Sequence, residues 1–120
     1  MKITAFNPLI CSTNPEPIIK LMEELGFEIK HEKEGIEGDI KSTDMVMGDF
    51  RVDVAAVHKV PQDLTAIRIN VDNFQEAYDY FISKGFTNPR GDAVTDTKSS
   101  KATLLFSPSG FAVNICEHTK

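Results

Sequence analysis

Phe50-Arg51-Val52-Asp53-Val54 and Phe111-Ala112-Val113-Asn114-Ile115 are the stretches on which the fold turns. In each, apolar side chains alternate with others, the period-two pattern of a strand with one buried face. The two stretches stand 61 positions apart (111 − 50), and so do Thr4-Ala5-Phe6 and Thr65-Ala66-Ile67 (65 − 4). A third echo, Leu25-Gly26-Phe27 against Lys84-Gly85-Phe86, falls two residues out of step, as a small insertion or deletion would produce. Two anchors on one spacing describe a chain that contains itself twice. Two copies of a small unit can enclose a cavity, and the residues lining it decide what chemistry is possible.

Working outward from these anchors, residues 3–11 read as a strand, with Pro8 marking an edge, a bulge or its end. Asn14-Pro15-Glu16 is a helix start, and Ile18, Leu21, Met22 and Leu25 then share one face until Gly26 stops the helix. Strands follow near 28–33, 38–47 and 50–57, separated by Gly35, Gly38 and a Gly48-Asp49 turn. After a polar connector at 58–63 the order repeats. Residues 64–71 form a strand; Asn73 and Glu76 have capping-box spacing; Phe74, Ala77, Tyr78, Phe81 and Ile82 line a helix that Gly85 ends. Strands near 87–96, 101–107 and 111–117 complete the copy, with Ser107-Pro108-Ser109-Gly110 as the last turn. Lys98-Ser99-Ser100-Lys101 reads as a mobile polar loop. Each half is βαβββ.

At 120 residues the chain is expected to be one domain over 1–120, with module one at about 1–57 and module two at about 64–118. No apolar run is long enough for a membrane span or a signal peptide, so a cytoplasmic protein with no membrane partner is expected. Thirteen basic against eighteen acidic residues give a net charge of −5, which argues against nucleic acid as a partner. Cys11 and Cys116 lack any Cys-x-x-Cys spacing and are expected as reduced thiols with no part in the chemistry.

The paired βαβββ modules, the Leu-Gly-Phe helix end and the Ser-Pro-Ser-Gly-Phe turn before the last strand resemble the vicinal oxygen chelate superfamily, which includes glyoxalase I, extradiol dioxygenases and bleomycin-resistance proteins. The resemblance runs from Ile3 to Glu117. It implies an α+β fold in which curved mixed sheets form a U-shaped cavity with a helix behind each sheet, and commonly a homodimer. The strand phase agrees. Val52, Val54, Ile67, Ile69, Val113 and Ile115 should face the helices, which leaves Arg51, Asp53, Ala66, Arg68, Asn70, Ala112 and Asn114 facing the cavity, joined by Ala5, Asn7 and Leu9 through the 61-residue offset.

Metal-using members of that superfamily take ligands from the first and last strands of each module. Here those positions fall at Ala5 or Phe6, at Ala66, and at Asp53 and Asn114. Methyl and phenyl groups have no lone pair to offer, so no metal and no cofactor are expected. His31, His58 and His118 show neither His-x-x-x-His nor His-Glu-x-x-His spacing, and no nucleophile elbow, phosphate loop or spaced carboxylate pair is visible. No catalytic residue is assigned. Asp53 would serve as a base only if desolvated, and Arg51 and Arg68 favour its charged form, so an ion pair is the simpler role. The expected function is metal-independent binding of a small molecule by Asn7, Leu9, Arg51, Asp53, Arg68, Asn70, Phe106 and Asn114, as in the bleomycin-resistance branch. The alternatives are a metal-dependent lyase or dioxygenase-like enzyme with a displaced site, and a dimeric module without a ligand.

Overall fold

The computed structural model describes residues 1–36, 40–58, 60–97 and 99–118. Gly38, Lys59 and Lys98, which the sequence reading placed at a strand boundary, in the connector and in a loop, lie outside these. Strands and helices alternate as β1 (Ile3–Ser12), α1 (Glu16–Leu25), β2 (Glu28–Ile36), β3 (Ile40–Met47), β4 (Phe50–Ala56), β5 (Leu64–Val71), α2 (Phe74–Ser83), β6 (Thr95–Asp96), β7 (Ser100–Phe106) and β8 (Ala112–His118). The order is βαβββ twice, and the class is α+β. The chain forms two compact units. One is Asn7–Thr65; the other joins Met1–Phe6 to the residues from Ala66 onward, so β1 is divided between them.

In the Asn7–Thr65 unit the strand order is β2-β3-β4-β1, with β1 parallel to β4 and β3 antiparallel to both its neighbours. Ile19 of α1 packs on Met45, Val52 and Val54, with Ile10, Ile18, Met22 and Phe27 around them. The expected helix stripe is corrected in phase. Ile19 joins Ile18 and Met22, whereas Leu21 and Leu25 are 50% and 59% exposed, a rotation of roughly 60° at 3.6 residues per turn. The cap also differs. Asn14 does not cap; its amide donates to Ser12 Oγ at 3.0 Å, and the Pro15 carbonyl accepts from Ile18 and Ile19. Gly26 has φ 114°, a left-handed conformation that favours glycine, and a Cβ there would have to displace Met47 Sδ, 2.8 Å away.

In the second unit the order is β5-β8-β7-β6, β5 lying parallel to β8. Ile69, Val71, Leu105, Val113 and Ile115 pack on Phe74 and Ala77 of α2, with Tyr78, Phe81 and Phe86 at the margin. Ile82, expected on that face, is 40% exposed. Asn73 caps α2 as its spacing predicts, its side chain accepting from Glu76 N at 3.0 Å, and Glu117 Oε1 accepts from Phe74 N at 2.6 Å. Two free amides and the positive helix end are thereby satisfied. The strand expected at 87–96 shrinks to the Thr87–Phe106 bridge and Thr95–Asp96. The reason is Pro89 and Gly91: Gly91 N donates to the Asn88 carbonyl at 3.0 Å, closing a turn inside the segment. Ser100 and Lys101 are not loop residues but the start of β7, tied back by Thr97 N to the Ser100 carbonyl at 2.8 Å.

Candidate functional site

Strand pairing fixes which side chains share a face. On β1–β4–β3 the aligned row is Leu9, Asp53 and Asp44; on β5–β8–β7 it is Arg68, Asn114 and Leu104. Val52, Val54, Ile69, Val113 and Ile115 pack with the helices, so the residues between them occupy the opposite face, as the phase argument requires. The register nevertheless corrects the repeat. Asp53 and Asn114 are 61 apart, but their partners Leu9 and Arg68 are 59 apart (68 − 9). The offset of 59 also relates Gly26 to Gly85, which stop the two helices. The Thr4-Ala5-Phe6 match to Thr65-Ala66-Ile67 is therefore two residues out of structural register. Because two is one full period of a strand, every face assignment survives.

The expected site residues fall into two groups. Asn7, Leu9, Arg51 and Asp53 belong to the first unit, and Arg68, Asn70, Phe106 and Asn114 to the second. Asn7, Leu9 and Asp53 are buried, while the other five retain part of their surface. Ala5 is half-buried, Phe6 is exposed and Ala66 is buried.

Asp53 is 3% exposed, and its Oδ2 accepts from Asn7 Nδ2 at 3.0 Å. The structure adds a residue that the sequence reading missed. Asp44, directly across from Asp53, receives Arg51 through two bonds, Nε to Oδ1 at 2.9 Å and Nη2 to Oδ2 at 2.7 Å. Burial alone would raise the Asp44 pKa, but the bonds from Arg51, the neighbouring Asp53 side chain and the charges of Arg51 and Lys30 hold it below the usual carboxylate range. The Arg51 guanidinium is correspondingly raised by its bonds to Asp44. Asp53 also lies near this pair, and its charge raises the guanidinium further. Two carboxyl groups facing each other across a ladder beside one guanidinium are the kind of grouping from which acid–base chemistry is built.

On the second unit's face, Asn70 Oδ1 and Asn114 Oδ1 are buried without a hydrogen bond. They flank Arg68, since Asn114 is its strand partner and Asn70 lies two residues along β5. Around them are Leu104, Phe106, Ala66 and Ala112, a small and apolar lining with amides and one cation set into it. Among the described residues, no three of His, Cys, Asp and Glu converge as a metal site.

A glyoxalase/bleomycin resistance protein/dioxygenase superfamily member from Vibrio splendidus 12B01 superposes with a TM-score of 0.61 at 13% identity, covering 97% of this chain and 99% of its own. The fold is that of the vicinal oxygen chelate superfamily. A methylmalonyl-CoA epimerase variant from Streptomyces coelicolor, in complex with 2-nitronate-propionyl-CoA, matches at 0.69 and 12% identity over 99% of this chain and all of that one. A glyoxalase I variant from Zea mays matches at 0.69 and 10%, covering 98% of this chain and 44% of its own. At these identities the likeness concerns the vicinal oxygen chelate fold alone. No family model matches the sequence, and no curated protein does either.

Proposed function

We propose that the chain is a metal-independent small-molecule-binding protein of the bleomycin-resistance kind, acting as a cytoplasmic homodimer. One observation carries this reading: the two amide oxygens of Asn70 and Asn114, held out of water without a donor on a face otherwise lined by small and apolar groups. Leaving a buried acceptor unsatisfied costs about 1–3 kcal/mol, so turning either amide toward an incoming N–H or O–H recovers free energy on binding. Arg68 beside them suits an anionic or carbonyl group on the same molecule. The donor set supports the absence of a metal, because Ala5, Phe6 and Ala66 bring no lone pair to the positions where metal-using members place ligands. Among the described residues no helix is long and apolar enough to cross a membrane.

The test is a thermal-shift screen with bleomycin, propionyl-CoA and a set of amphipathic cations. Acyl-CoA is included because the Streptomyces coelicolor epimerase holds such a compound. A ligand at about 100 times its Kd stabilises by about 2.7 kcal/mol, which is about 10 °C for a chain of this length, and Asn70→Leu with Asn114→Leu should abolish the shift. Silence from every compound would favour a structural module. A shift seen only after loading with Mn, Fe(II) or Zn would favour the metal-dependent enzyme. Sedimentation at micromolar concentration showing monomer alone would remove the dimer.

A further inference from the structure

Cys116 and His118 lie on β8 two residues apart, hence on one face, and the Cys116 Sγ stands 3.7 Å from His118 Nε2. This is the reach at which a thiol donates to an imidazole, and a nucleophile within hydrogen-bond distance of a base is the basic unit of thiol chemistry. The face is the one that carries Asn70 and Asn114: Asn70 is the β5 partner of Cys116, and Ala102 is its β7 partner. The thiol is thus bracketed by an amide whose buried oxygen has no donor and by a single methyl group. Cys116 is 4% exposed, but Ala102 is only half-buried and His118 is exposed, so the way to the sulfur passes over a small side chain beside the base. The neighbouring charges divide by face. Arg68 shares the face of Cys116, whereas Lys101 pairs with Glu117, which points toward α2.

We infer that Cys116 with His118 is a reactive thiol site that takes low-molecular-mass disulfides. With its own proton on Nδ1, His118 accepts the Cys116 proton at Nε2. The thiolate attacks one sulfur of the disulfide; a new S–S bond forms as the old one breaks, and the departing thiolate takes the proton from the imidazolium. One disulfide and one thiol are consumed and one of each is produced, so no further oxidant is required. A positive ring beside the sulfur stabilises the thiolate, the reacting form. The inference goes beyond the ligand reading and does not depend on it.

Cys11 supplies the internal control, because it is a second thiol of like burial, 5% exposed, and it sits opposite Ala55 on a different strand. The experiment compares Cys11→Ser, which leaves Cys116, with Cys116→Ser, which leaves Cys11. Each folded chain is incubated with glutathione disulfide and followed by intact mass across pH 5–9. Cys116 should form the mixed disulfide at least about tenfold faster than Cys11 at pH 7, and its rate should already be near its plateau below the pH at which an ordinary thiol ionises. In urea the two rates should converge. His118→Gln in the Cys11→Ser background should slow the reaction about tenfold and move its pH profile to that of a free thiol. Equal rates for the two cysteines, or an unchanged profile in His118→Gln, would overturn the assignment. Should His118→Gln fail to fold, the pH profile of Cys11→Ser decides alone: a rate rising only with ordinary thiol ionisation sinks it.

Discussion

Asp53 offers the most direct test of the buried carboxyl pair, because two replacements of it should behave oppositely to what charge alone suggests. Asp53→Asn keeps an oxygen to accept from Asn7 Nδ2 and brings an N–H to donate to Asp44 across the ladder. Its cost should be under about 1 kcal/mol, a fall of less than about 4 °C for a chain of 120 residues. Asp53→Ala offers neither bond at a position that is 3% exposed and leaves a small void. Asn7 Nδ2 still reaches the Pro8 carbonyl at 2.9 Å, so the loss falls mainly on Asp44. The cost should be about 2–3 kcal/mol, or about 8–12 °C. Melting curves at pH 7 by circular dichroism decide the matter. An Asp53→Asn protein more stable than the parent would mean that two negative carboxylates had been facing each other, and equal damage from Asn and Ala would mean that no hydrogen bond to Asp44 was at stake. Either result refutes a favourable pairing of the two side chains.

Asp44 should make acid stability pH-dependent: its folded pKa lies below 3.8, so its contribution is whole above that value and is lost as pH falls through the depressed one. Urea midpoints measured from pH 7 down to pH 2 should therefore decline less steeply below pH 4 in Asp44→Asn than in the parent, although the variant starts lower. Ser12 is 1% exposed, donates to Asp63 Oδ1 at 2.7 Å and accepts from Asn14 N at 3.0 Å; Ser12→Ala should cost about 1–3 kcal/mol in urea denaturation. Asn73→Ala should cost about 1 kcal/mol through loss of the α2 cap, visible as a drop of about 4 °C, with Asn73→Asp restoring it.

Faces were legible because strand phase needs only parity. Val52, Val54, Val113 and Ile115 were assigned to the helix side from alternation alone, and that holds even though the repeat was aligned two residues out. The Asp44–Asp53 pair was also within reach of the sequence. A two-residue turn at Gly48-Asp49 makes Met47 and Phe50 partners, and counting back three positions on each strand from that closure brings Asp44 opposite Asp53. Spacing along a single element does not reveal it, because the two acids sit on neighbouring strands. The phase of α1 was less legible: Ile18 and Met22 belong to both the predicted and the observed stripe, and only contact with Met45 and Val52 selects Ile19 over Leu21 and Leu25. The Cys116–His118 pair follows from the same parity, since a one-residue gap on a strand places both on the same side.

The slip between the two registers says something about how such a chain tolerates change in length. In one half β1 meets β4 with 44 positions between partners (53 − 9), and in the other β5 meets β8 with 46 (114 − 68). A slip of one residue in the pairing itself would turn an entire strand inside out, presenting its polar residues to the helix. A change of length in the connections leaves the pairing alone, so the two halves can differ there and still bury the same faces, while extra residues inside a ladder are taken up by bulges, as happens twice between β2 and β3.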